Sequence, residues 1–298
     1  MTKGGGGMNL NPFIVATRDK GMLGVMAIQD GEVIAEGYTA DRDRRNIYSG
    51  TKSFTSAAVG LAVREGLLSL DERIVDCFPD EVPEKPSDHL LLLRVRDLLT
   101  MQMGHDREYL MGYERPFLQF NDWPRYVLRQ EIPVRPGTAF FYDNAPPYLA
   151  GVLVERRAGC DLADYLYPRL FLPLGIPKPT WERDPDGHAF GAGGMMLALW
   201  EFARFGQLYA QGGVYHGRRI LDEAWVRESA EKHAETREHG YGYLFFRGPH
   251  GSFSANGKYG QFSVIFPEKR AVIAAVSESR DGDAIRKGIY ELLYPQLH

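Results

Sequence analysis

Strand signals gather at the two ends of this 298-residue chain and helix signals in its middle, a distribution that restricts the fold more than any single residue does. Near the start, residues 24–29 and 32–38 are short apolar, partly β-branched runs. They are joined by Asp30-Gly31, a dipeptide suited to the positive φ angles of a tight hairpin turn. Phe54, Ala57, Ala58, Leu61 and Ala62 then recur at helical spacing and stop at Gly66, which predicts a buried helix over 53–65 that begins near Ser49. From about residue 71 to 181 the pattern is helical, in pieces broken by Pro and Gly, with candidates at 90–100, 146–158 and 162–170. A helix over 197–210 follows, strand character returns at 241–246, 262–266 and 272–276, and a helix over 281–293 closes the chain.

This order is satisfied most simply by an α+β fold in which both chain ends share one antiparallel β-sheet flanked by helices, with the helical block as an insertion. The boundaries expected are 10–75 and 185–298 for the sheet domain, 76–184 for the inserted, mostly α-helical domain, and 1–9 for a flexible N-terminus. The glycine run ahead of Met8 reads as an appended stretch and Met8 as the natural start. No internal repeat is visible.

A composition of 44% hydrophobic and 25% charged residues is that of a soluble globular protein. The net charge of -4 supplies no electrostatic reason to bind nucleic acid or an anionic membrane. No apolar run is long enough for a transmembrane helix, and residues 1–7 lack the apolar region of a secretory signal, so the cytoplasm is the expected location. Cys77 and Cys160 are too few for a disulfide framework and read as free thiols, although a single bridge stays open. Gly50-Thr51-Lys52-Ser53 lacks the residue order and upstream glycine of a phosphate loop. His233 and His239, six residues apart, miss the spacing of a helical zinc pair. Neither a metal nor an organic cofactor is expected, and nothing sets the oligomeric state.

Ser49-Gly50-Thr51-Lys52 has the S-x-x-K form, which puts a hydroxyl and an amine on one face of a helix, three residues apart. The amine can take the serine proton, and the helix N-terminus favours negative charge at the attacking oxygen. The motif alone is weak, because Ser229-Ala230-Glu231-Lys232 matches it too, in a charged stretch that reads as solvated surface. What distinguishes Ser49 is Tyr142-Asp143-Asn144, the one Y-x-N of the chain, placed after Arg135-Pro136-Gly137-Thr138. Beside the Lys52 ammonium a Tyr142 phenolate would be stabilised and its pKa lowered toward neutrality, while Asn144 would hold both the lysine and the substrate amide or ester. The plainer reading is a core tyrosine followed by a turn-forming Asp-Asn pair.

Taken together, these motifs resemble those of the serine β-lactamase, DD-peptidase and carboxylesterase family, the penicillin-binding protein type. Arg96-Asp97-Leu98-Leu99-Thr100 with Gly104, and Gly191-Ala192-Gly193-Gly194-Met195 followed by residues 202–208, extend the similarity over about 24–276. The family's third element, K-T-G or H-x-G on a strand, is best matched by Ala255-Asn256-Gly257-Lys258, with Ala255 where a basic residue is usual. That departure argues against recognition of a β-lactam or peptide carboxylate, and Lys258 could restore the charge only from the opposite face of a strand.

The resemblance implies an acyl-enzyme mechanism: Ser49 attacks, Lys52 and Tyr142 relay the proton, and Asn144, Asn256, Gly257 and Lys258 contact substrate. It also implies an oxyanion hole from the backbone N–H groups of Ser49 and Lys258, with Gly257 letting the substrate approach the strand. A minority of Tyr109, Tyr113, Phe117, Phe120, Trp123, Tyr241 and Tyr243 is expected to wall the cleft. The function expected is a serine hydrolase acting on a small-molecule ester or amide, foremost a carboxylesterase. The alternatives are a β-lactamase, a D-amino-acid peptidase, or a binding or sensing member of the fold without turnover.

Overall fold

The computed structural model describes residues 7–298. The expected N-terminal hairpin is β1 (Met22–Gln29) and β2 (Glu32–Tyr38), closed by Asp30 at φ 50 and Gly31 at φ 90. From the other end of the chain come β3 (Phe246–Arg247), β4 (Phe253–Gly257), β5 (Gln261–Phe266) and β6 (Ala271–Ser277). All six pair antiparallel in the order β2-β1-β6-β5-β4-β3, so the two ends do share one sheet.

The two-residue period of a strand divides these side chains between two apolar layers. Val25, Ala27, Ile273 and Ala275 face α1 (Asn11–Thr17) and the C-terminal helix α5 (Gly282–Gly288), where Phe13, Ile285 and Ile289 complete one cluster. Met26, Ile28, Val272 and Ala274 face the opposite way, toward α2 (Thr51–Arg64) and α4 (Leu199–Ala210). That second core runs on without a break into the helical block, whose longest element is α3 (Ala145–Ala158). Among the described residues no helix is long and apolar enough to cross a membrane.

Several element boundaries differ from the sequence expectation. The helix expected over 90–100 is two helices, Asp88–Leu92 and Val95–Leu99, because Leu93 and Arg94 are extended and the Asp97 carboxylate caps the Arg94 N–H at 2.9 Å. The strand expected over 241–246 shrinks to Phe246–Arg247, since the chain turns at Leu244 (φ 59) and Tyr241 makes only isolated bridges. Met196–Leu197 pairs with Arg45–Asn46, and α4 begins only after it. The flexible segment expected over 1–9 is corrected where it is described. Met8 is buried against the outer layer and the Asn9 N–H donates to Gln296 at 2.8 Å, whereas Met1–Gly6 lie outside the described residues.

Candidate active site

Ser49 lies in a single 3-10 turn, Tyr48–Gly50, that leads directly into α2. Tyr48 just before it holds φ 47, a conformation that strains a bulky residue, and Asn46 Oδ1 fixes the turn by accepting the Tyr48 N–H at 2.7 Å. One helical turn on, Lys52 points back to the same spot, with Nζ 3.0 Å from Ser49 Oγ. Its amine donates to Asn144 Oδ1 and to the Ala192 carbonyl, both at 2.7 Å, and the side chain is 1% exposed.

Tyr142 approaches from the segment ahead of α3, its ring centroid 5.0 Å from Lys52 Nζ. Asn144 stands at the start of α3, where its Oδ1 holds the lysine while its Nδ2 donates to the Leu110 carbonyl at 3.1 Å. The Gly191–Met195 segment is clipped to α2 by Thr55 Oγ1 donating to Gly191 O and by the Met195 N–H donating to Thr51 Oγ1. A Cβ at Gly191 would meet the Pro147 carbonyl at 2.6 Å, so glycine is what lets this segment reach the lysine.

Burial sets the protonation states and overturns one expectation. Burial pushes the Lys52 amine down to about 7; nearby Asp143 opposes that change and Arg115 reinforces it. Tyr142, expected to be drawn toward neutrality, is instead pushed up to about 12, again by burial first, with the Ser49 hydroxyl working against the rise. The first cause is the same for both groups: burial disfavours the charged form, ammonium for Lys52 and phenolate for Tyr142. The arrangement therefore offers an amine that is available as a proton acceptor from about pH 7 upward and a neutral phenol as proton donor.

The third motif lies on β4. Ala255 is 1% exposed and packs in the inner core, while Asn256 and Gly257 are half-buried and Lys258 is exposed just past the strand. Lys258 Nζ sits 4.9 Å from the Tyr259 ring centroid, and Lys258 lines the cleft together with Arg237, Arg247 and Arg286. Gly257 has a packing reason of its own. A Cβ there would come within 2.1 Å of the Ile47 carbonyl, so glycine lets β4 close on the turn that carries Ser49.

Tyr142, Asn256, Gly257 and Lys258 line one cleft of about 1140 Å³. Its aromatic wall is Phe140, Phe141, Phe246, Tyr259 and Phe262, and none of the seven aromatics expected there takes part. Tyr109, Trp123, Tyr241 and Tyr243 are core residues, and Tyr113, Phe117 and Phe120 face solvent. The competing Ser229 is not on a solvated surface: it is fully buried in the helix Glu223–Ala230, and its hydroxyl donates to the Trp225 carbonyl at 2.7 Å. Its lysine partner, Lys232, is drawn off by Glu235 at 2.6 Å.

Sequence reasoning passed over the Ala192 carbonyl, although it lies within a quoted motif, and passed over Arg115. It gives Asp143 no role beyond the turn of the plainer reading. The structure makes Asp143 a buried carboxylate that pairs with His105 at 2.7 Å.

Comparison with known proteins bears on this geometry. A curated relative, the 6-aminohexanoate-dimer hydrolase of Paenarthrobacter ureafaciens, is 25% identical over 87% of this chain and 73% of its own length. The lovastatin esterase of Penicillium rubens is 30% identical over 43% of this chain and 37% of its own. Among solved structures, a putative β-lactamase from Bacteroides dorei superposes with a TM-score of 0.78 at 18% identity, covering 96% of this chain and 99% of the other. The family model described as Beta-lactamase matches residues 14–294, nearly the whole sequence. With that match, the chain belongs to the Beta-lactamase family and is a serine hydrolase of the β-lactamase-like fold.

Proposed function

We propose that the protein is a carboxylesterase that hydrolyses small esters through an acyl-enzyme on Ser49. The observation that carries this reading is the buried Lys52 amine, 3.0 Å from Ser49 Oγ and poised near neutrality. Ser49 Oγ attacks the substrate carbonyl carbon as its proton passes to Lys52 Nζ. The oxyanion is held by the backbone N–H groups of Ser49 and Lys258, each such donor contributing about 3 kcal/mol. When the tetrahedral intermediate collapses, the leaving alkoxide takes the Tyr142 proton, and Lys52 returns one to Tyr142. Water then retraces the relay and releases the acid.

The reading of ester rather than β-lactam chemistry is supported by position 255, where a core alanine stands in place of the basic residue usual in the third motif; the basic groups of the cleft, Arg237, Arg247, Lys258 and Arg286, come from other positions. Hydrolysis of a small amide is the second reading, favoured by the 6-aminohexanoate-dimer hydrolase, which aligns with 87% of this chain. The test is turnover of a short-chain p-nitrophenyl ester, nitrocefin and a p-nitroanilide by wild type and Ser49→Ala. Ester cleavage that Ser49→Ala abolishes, with nitrocefin left intact, supports the proposal. Faster cleavage of nitrocefin or of the anilide than of the ester would overturn the substrate class.

A further inference from the structure

Asp143, the middle residue of the Tyr-Asp-Asn motif, is 1% exposed. Its Oδ2 lies 2.7 Å from His105 Nδ1, and its Oδ1 accepts the backbone N–H groups of Tyr109 at 2.7 Å, Asn144 at 2.6 Å and Ala145 at 3.3 Å. His105 is 3% exposed and rests edge-on against Tyr109, with its other ring nitrogen buried and without a protein partner. A ring nitrogen and three backbone N–H groups thus converge on this one carboxyl.

The place of this carboxyl matters because of what happens beside it. When Lys52 takes the Ser49 proton, an ammonium forms in a buried site whose acceptors, Asn144 Oδ1 and Ala192 O, are neutral. The Arg115 guanidinium opposes that ammonium and the Asp143 carboxylate favours it. Tyr142, the other titratable group against the lysine, feels both Asp143 and Glu108, and Asp143 also acts on Tyr113. A buried cation with no counter-charge is costly enough to slow the step that creates it.

We propose that Asp143, clamped by His105 and by three backbone N–H groups, is a positioning residue that supplies the counter-charge for the Lys52 ammonium and acts through Asn144 without touching substrate. The inference rests on the Ser49–Lys52 chemistry proposed above. It also explains why the motif's middle residue is a buried acid: a turn alone would be served by a neutral acceptor.

The test is the pH dependence of Ser49 phosphonylation by a fluorophosphonate, followed by intact mass in wild type, Asp143→Asn and His105→Gln. Asp143→Asn keeps an oxygen for the three backbone donors, and its amide can donate to His105 in the reversed tautomer. Without the carboxylate, Lys52 loses its proton at lower pH, so the acid limb moves down by about one pH unit and the plateau rate falls roughly tenfold. His105→Gln leaves a neutral donor on the carboxylate, and its limb stays in place. An unmoved limb in Asp143→Asn, with or without loss of rate, reduces Asp143 to scaffolding and overturns the inference. If circular dichroism shows that Asp143→Asn is unfolded, Asp143→Ser is read the same way. Wild type that is not labelled at Ser49 refutes the underlying chemistry instead, which keeps the two failures apart.

Discussion

Replacing Gly257 with alanine tests how tightly the sheet and the Ser49 turn depend on each other. The added Cβ would lie 2.1 Å from the Ile47 carbonyl oxygen, about 1.3 Å inside the ordinary contact distance of 3.4 Å. Both partners are backbone, so no side chain can rotate away, and β4 must separate from the turn by about 1 Å. Overpacking of this kind costs about 1–3 kcal/mol, which in a chain of this size lowers Tm by roughly 2–6 °C. In the mechanism proposed above the same movement would carry the Lys258 N–H away from the oxyanion, and a displacement of about 1 Å in a reacting site costs about 100-fold in rate. Thermal unfolding and kcat/KM on a p-nitrophenyl ester are measured for Gly257→Ala beside Gly112→Ala, a position where a Cβ meets nothing within 4 Å. The control is expected to match wild type in both. A Gly257→Ala protein with unchanged Tm and kcat/KM would refute the close approach of β4 to the Ser49 turn.

Two further outcomes follow from the same geometry. Because Lys52 accepts the proton only as a neutral amine and its pKa is lowered to about 7, kcat/KM should rise as pH increases through about 7. No alkaline fall is expected before pH 10, since Tyr142 keeps its proton to about 12; a pH–rate profile with its acid limb below pH 5 would contradict this assignment. Tyr142→Phe removes the proton donor while leaving Ser49 and Lys52 in contact, so kcat should fall by about 10²–10⁴-fold, and near-normal turnover would remove Tyr142 from the relay.

Much of the architecture was legible because its signals are local. Asp30-Gly31 between two apolar runs specifies a hairpin by turn chemistry alone, and the apolar spacing after Lys52 specifies α2. The two short motifs were legible for a related reason: S-x-x-K depends on helical spacing within one turn, and Tyr142 and Asn144 travel together on the entry to α3. What could not be read depends on contacts between distant segments. The direction of the Tyr142 shift follows from burial by residues far apart in the sequence, and the His105–Asp143 pair spans 38 residues. The cleft aromatics were missed because Tyr109 and Phe140 look alike as sequence, while packing sends one into the core and sets the other along the cleft.

The account stands most directly on a covalent bond at Ser49. Wild type and Ser49→Ala would be mixed with a slowly turned-over ester, quenched in acid within the first turnovers, and analysed by intact mass and peptide mapping. An acyl adduct on the peptide carrying Ser49 in wild type, absent from Ser49→Ala, is the expected result. Steady turnover with no adduct at Ser49, or an adduct that persists when Ser49 is replaced, would contradict it.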